Sequence, residues 1–335
     1  MLLGLALWYL TALILHLFLG AGSRTSMADT KWFDAVVAVR LAGFLSVLAL
    51  VRFIQFRRRT KDMPMFKAIG RAIRPRPAAL VRWGLWACLA IASYIIYLSN
   101  VMSIKTTIPE LVPFYFDDAA KNFDRLLFFG HDAWELVSPL YQLPGIVRLI
   151  DMLYSVIWGV VISGSWFYCF SSRAMDVSRR YQFCLAMIIL YVFAGNFLAI
   201  IFSSVGPVYY QDFVGGTDFV GLTDQLSGIG NEVPLIATNL QEKLLVLSQD
   251  AVNPISGISA VPSMHIGTTS LLLMLFWRSP AARMVSMAFA GIIAIGSVLL
   301  GWHYALDGIM AVPLAFLAWR ISGWILRKYA GEAQM

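Results

Sequence analysis

Residues 261–277, VPSMHIGTTSLLLMLFW, residues 284–302, MVSMAFAGIIAIGSVLLGW, and residues 305–326, ALDGIMAVPLAFLAWRISGWIL, decide the fold class of this chain. The only formally charged side chains in the three runs are Asp307 and Arg320. An α-helix rises about 1.5 Å per residue, so some 20 apolar residues cross a hydrocarbon core roughly 30 Å thick. Only residues 278–283 and 303–304 separate the runs, which predicts two tight helical hairpins.

The rest of the chain agrees. Of its 335 residues 59% are hydrophobic and 13% charged, and the mean hydropathy is +0.72. Such a composition excludes a soluble globule with a solvated surface. Five further segments, 2–20, 33–54, 83–103, 147–170 and 183–205, bring the expected total to eight transmembrane helices in an all-α bundle. Residues 1–82 read as two helices and a basic loop; residues 83–335 read as a six-helix core with long loops at 104–146 and 206–260.

Charge sets the orientation, because short loops rich in Lys and Arg stay cytoplasmic. The stretch from Arg52 to Arg82 holds ten Lys and Arg against the single acid Asp62. Arg173, Arg179 and Arg180 mark a second such loop, Arg278 and Arg283 a third, and Arg327 and Lys328 follow the last helix. These clusters fall on alternate helix ends, so both termini are expected in the cytoplasm. The segment from Gly206 to Ala260 holds six acids against Lys243 alone, and it falls on the other side with both His265 and His303. The net charge of +7 is thereby assigned to topology and anionic lipid head groups, with no nucleic acid partner. The first segment exceeds a usual signal core and reads as a membrane helix, not a cleaved leader. Cys88, Cys169 and Cys184 lack metal-ligand spacing and read as small buried side chains.

Pro262-Ser263-Met264-His265 opens one apolar run, and His303 with Asp307 four positions on opens another. Residues four apart share a helix face, so the Asp307 carboxylate can take the proton on one ring nitrogen of His303 and leave the other as an oriented nucleophile. Ser263 is a good N-cap, and a helix start favours an anion. Gly267 leaves room beside that turn, and Thr268 and Thr269 offer further hydroxyls.

These motifs resemble those of the phosphatidic-acid phosphatase type 2 superfamily, whose second motif reads Pro-Ser-Gly-His and whose third ends His-x-x-x-Asp. The resemblance covers residues 83–326. It implies that His303 attacks phosphorus to form a phosphohistidine, that Asp307 orients it, and that His265 protonates the leaving group and then activates the acceptor. No metal or other cofactor is implied. The superfamily's Ser-Arg pair before the third-motif histidine is replaced by Gly296 and Ser297, which removes one phosphate-binding arginine. A text match to the first motif at Lys67 to Arg74-Pro75 lies in the basic cytoplasmic loop, across the membrane from both histidines, and is rejected. Gly206-Pro207-Val208-Tyr209-Tyr210 stands where that motif belongs. With Asn122 to Arg125, it is similar to the branch of inositol phosphorylceramide synthases and their bacterial relatives, which pass a phosphoryl head group from a phospholipid donor to a lipid alcohol.

The residues alone leave transferase and phosphatase open, since water or an alcohol can intercept the same intermediate. The expected substrate contacts are Ser263, Gly267, Pro207, Tyr209 and Tyr210, with Lys243 and Arg125 as candidate cations alongside Lys121 and Arg148. An amphipathic stretch from Phe116 to Leu136 is expected along the membrane surface. The long segment 206–260 has the length of a lid or binding element. A lipid transporter is the rival of another class, with buried ionisable groups marking its path, but no internal repeat supports it.

Overall fold

The computed structural model describes residues 63, 64, 94, 105, 108, 109, 111–171, 176–248 and 257–332. The expected helices 2–20 and 33–54, the basic loop after them and nearly all of 83–103 lie outside the described residues. Helix is the only regular structure among those described.

Four stretches are long and apolar enough to cross a membrane: Pro144–Cys169, Val177–Ile201, Pro280–Leu299 and Ala305–Lys328. The protein is therefore an integral membrane protein. The first stretch comprises α3 (Pro144–Met152), a π-helical turn (Leu153–Ile157) and α4 (Trp158–Ser171). The second runs from α5 (Val177–Leu190) through a π-helical segment (Tyr191–Leu198) into α6 (Ala199–Ile201). The hairpin partners near the C-terminus are α11 (Pro280–Leu299) and α12 (Ala305–Glu332).

The expected span 261–277 forms instead the 13-residue α10 (Met264–Phe276). At about 1.5 Å per residue it is roughly 20 Å long, too short to join two interfaces about 30 Å apart. It avoids that mismatch by lying inside the protein, touching α4, α5, α11 and α12. Its apolar surface is correspondingly buried nearly all round. Gly267 permits this, because a Cβ there would stand 3.1 Å from Leu190 of α5. Its missing side chain makes room for a neighbouring helix.

Both expected loops contain helices. Residues 104–146 hold α1 (Asp117–Leu127), α2 (Ala133–Val137) and a 3₁₀ turn (Ser138–Gln142). Residues 206–260 hold a 3₁₀ turn (Pro207–Tyr209), α7 (Tyr210–Phe213), α8 (Val220–Glu232) and α9 (Ile236–Ser248). Side chains tie them to the spans: Tyr141 donates to the Leu299 carbonyl at 2.6 Å and Gln241 to the Leu300 carbonyl at 2.7 Å. Asp151 of α3 accepts from the Ile236 and Ala237 amides at 2.5 and 3.0 Å, which caps the start of α9. These helices lie over one end of the bundle. At the other end Arg179 donates to the Leu275 carbonyl and Arg180 to the Cys169 carbonyl, at 2.8 and 2.9 Å. There the arginines satisfy carbonyls at the finishing ends of α10 and α4.

Candidate active site

Two buried carboxylates bring the site together by accepting from backbone amides far away in sequence. Asp117 and Asp124 lie seven residues apart on α1, on the buried face they share with Ala120 and Lys121. Asp124 accepts from the amides of Ala305 and Leu306 at 2.7 and 2.9 Å. It caps the first turn of α12, two residues after His303. Asp117 accepts from the amides of Val205 and Gly206, at 3.0 and 2.9 Å, and from the Tyr304 hydroxyl at 3.0 Å. It thereby joins the segment after α6 to the residue beside His303.

That segment lies hard against the α11–α12 hairpin. Val208 donates to the Gly301 carbonyl at 3.0 Å. Gly206 has φ +90, and a Cβ there would sit 2.6 Å from the Trp302 carbonyl oxygen. No side chain fits that approach, and the positive φ suits glycine. Residues 257–263 complete the wall: the Ala260 amide donates to the Ser204 carbonyl at 3.0 Å and the Ser263 amide to the Asp307 carbonyl at 3.2 Å.

Within this frame the His303 ring is 7% exposed and its Nδ1 lies 3.0 Å from Asp307 Oδ2. The carboxylate, itself fully buried, also accepts from the Tyr304 amide at 3.2 Å, and its Oδ1 has no hydrogen-bond partner. With Nδ1–H donated to Asp307, Nε2 keeps its lone pair. Burial first, and the positive charge of Lys105 second, hold the His303 imidazole below its ordinary pKa, against a weaker pull from the Ala260 carbonyl. A neutral ring is the nucleophilic form.

The ring centroid of His265 stands 6.2 Å from that of His303, at an interplanar angle of 61°. The two imidazoles therefore stand at neighbouring positions at the same end of the bundle, close enough to face one small ligand. His265 is held by the π-helical turn and α4: Tyr154 stacks on it at 4.2 Å and 13°, and Trp158 lies 3.9 Å away. Trp158 is fixed in turn by its indole N–H, which donates to Thr268 Oγ1 at 3.0 Å. Tyr154 belongs to the π-helical turn, a deviation that adds a residue to a helical turn and often marks functional sites.

The expected contacts fare differently in this geometry. Ser263 caps α10, its hydroxyl accepting from the Ile266 amide at 3.5 Å. Gly267 faces Leu190, and the hydroxyls of Thr268 and Thr269 donate back to carbonyls of their own helix. Pro207 and both tyrosines are buried. Tyr209 donates to the Gln241 carbonyl at 3.1 Å, and Tyr210 donates to Asp118 while accepting from Lys121. Arg125 makes two bonds to Asp132, at 2.8 and 2.9 Å, and one to Asp218 at 2.8 Å. Lys121 is bound by Asp118 and Asp218. Lys243 and Arg148 lie on exposed faces. Thus Gly267, Tyr209, Tyr210 and Arg125 hold protein to protein here.

The sequence alone did not mark Lys105, Asp117, Tyr154 or Trp158, and Asp124 stood out only within the Asn122 to Arg125 likeness. Asp117 was legible only as part of an amphipathic stretch, and Tyr154 with Trp158 as an ordinary aromatic pair in an apolar run. Lys105 carried no signal beyond its place after a span. Among the described residues no group of His, Cys, Asp and Glu is arranged to hold a metal ion.

A family model described as the PAP2 superfamily matches residues 121–321, more than half of the chain. The chain belongs to the PAP2 superfamily. No curated protein and no solved structure matches it. PAP2 membership makes the protein an enzyme of the phosphatase and phosphotransferase kind, and both histidines and Asp307 fall within the matched residues.

Proposed function

We propose that this PAP2 enzyme is a lipid phosphotransferase working through a phosphohistidine, with His303 as nucleophile, Asp307 as its orienting carboxylate and His265 as acid and then base. In the first step the His303 Nε2–P bond forms, the bond from phosphorus to the donor's leaving oxygen breaks, and His265 gives that oxygen a proton. In the second step His265 takes the proton of the acceptor hydroxyl, the new O–P bond forms and the N–P bond breaks. The observation that carries this reading is the pair of imidazoles 6.2 Å apart with Asp307 on one of them.

The donor in this reading is a phospholipid and the acceptor a lipid alcohol such as diacylglycerol or ceramide. The sequence likeness to the inositol phosphorylceramide synthase branch, and Ser297 where an arginine is usual, favour that choice over release of phosphate to water. The charge pattern supports a site opening to the extracytoplasmic leaflet, with both termini cytoplasmic, and the likeness to bacterial relatives favours a bacterial inner membrane.

The test is lipid mass spectrometry after incubating purified enzyme with candidate phospholipids, with and without ceramide or diacylglycerol. A new phosphorylated lipid is expected with the wild type and none with His303→Ala, whose fold is checked by thermal melting. Turnover by a folded His303→Ala protein removes the nucleophile. Inorganic phosphate as the only product converts the reading to a phosphatase, and no product of either kind with wild-type protein favours a transporter.

A further inference from the structure

Phosphoryl transfer demands positive charge at the non-bridging oxygens, because the negative charge they carry must be stabilised as phosphorus changes partners. The usual source is missing: Ser297, fully buried, stands where the superfamily carries an arginine. Nor do the obvious cations near this end of the molecule fill the gap. Lys121 and Arg125 share Asp118, Asp132 and Asp218, a cluster in which acids outnumber bases.

Lys105 differs from both. Its Nζ donates to the Ser259 carbonyl at 3.4 Å, one residue before Ala260, whose carbonyl acts on the His303 ring. Among the described residues no ion pair to a carboxylate holds it, and its positive charge acts on the His303 ring. The ammonium is thus part-buried against residues 257–263, which wall the His303 site, with one long bond to a neutral carbonyl, leaving two of its three N–H groups for an anion. Burial draws its pKa down to about 8, so it remains largely charged at neutral pH. The residue precedes the family match at 121–321, so no motif of the matched region contains it.

We propose that Lys105 is the substrate-binding cation of this site, its ammonium holding a non-bridging phosphate oxygen of the donor lipid while His303 attacks. This rests on the phosphohistidine reading for its chemistry but not for its binding. The ligand chemistry is a phosphate ester anion, shared by the lipid donor and free inorganic phosphate.

The experiment compares the full chain with Lys105→Met, Lys105→Arg and His303→Ala in detergent micelles, each checked for fold by thermal melting. Two quantities are read: kcat/KM for the phospholipid donor, and affinity for inorganic phosphate by titration. Lys105→Met is expected to lower kcat/KM by about 100-fold or more. It should also weaken phosphate binding, whereas Lys105→Arg retains both to within about tenfold. His303→Ala should lose turnover yet bind phosphate. Unchanged kcat/KM and phosphate affinity in Lys105→Met, beside an inactive His303→Ala, overturn the Lys105 assignment alone. An active His303→Ala overturns the phosphohistidine and leaves the anion site to the titration. Should Lys105→Met not fold, Lys105→Arg and Lys105→Gln decide it: equal phosphate affinity in those two variants rejects the proposal.

Discussion

At the scale of single residues, the chemistry depends on keeping one imidazole neutral and aimed beside one positive charge. Asp307→Asn keeps the volume but no longer selects the tautomer with Nε2 free. Formation of the phosphohistidine is expected to slow by about 10³–10⁴-fold, measured as a single-turnover burst. A burst at the wild-type rate would show that the carboxylate only supports structure. The pH profile reports Lys105: its ammonium loses its proton as pH rises through about 8, so kcat/KM should fall on that alkaline limb. Lys105→Arg, which stays charged, should move the limb to higher pH. Lys105→Met should move the acid limb upward, because removing a positive neighbour makes the His303 imidazolium easier to form. His265, Asp307 and Asp117 are common to all three proteins, so the differences isolate Lys105. Coincident limbs in wild type and Lys105→Arg would contradict its role.

Among the elements, the decisive device is the borrowed cap. Beside Asp307, which accepts from the Tyr304 amide, helix α12 takes its first-turn acceptor from Asp124, some 180 residues earlier. This aligns the start of α12, and with it His303 and Asp307, against α1. Asp124→Ala leaves two amides without their acceptor and is expected to cost about 1–2 kcal/mol, by analogy with local caps. The melting temperature should drop and kcat should fall more than KM changes, because the nucleophile tilts. A variant with wild-type melting and kcat would reduce Asp124 to a bystander. The same logic explains the long segments 206–260 and 104–146. Their length was legible, and so was the amphipathic character of α1. Their mode of attachment was not, because Asp117, Asp124 and Asp151 bond to amides that sequence distance does not reveal.

Across the whole molecule, acidic helices gather over the end that holds both imidazoles, and arginines close the other. If the basic end is cytoplasmic, a cysteine replacing exposed Glu242 should react with a membrane-impermeant maleimide on intact cells. One replacing exposed Arg278 should react only after permeabilisation. The reverse pattern would invert the assigned orientation. The central α10 also bears on the whole: too short to span, it is buried among α4, α5, α11 and α12.

The chain's order of side chains was enough to determine that it lives in a membrane and that its core is helical, and it singled out His265, His303 and Asp307 as the candidates proposed to share one reaction. Hydropathy, helix period and local spacing are properties of neighbours in sequence, and those conclusions need nothing more. Tertiary structure alone decided which acids brace the hairpin, that Gly267 packs against Leu190, and that Tyr209, Tyr210 and Arg125 bond to protein groups. Those outcomes depend on burial and on hydrogen bonds closed over long chain separations, where a group's partner is selected by packing and not by its place in the chain.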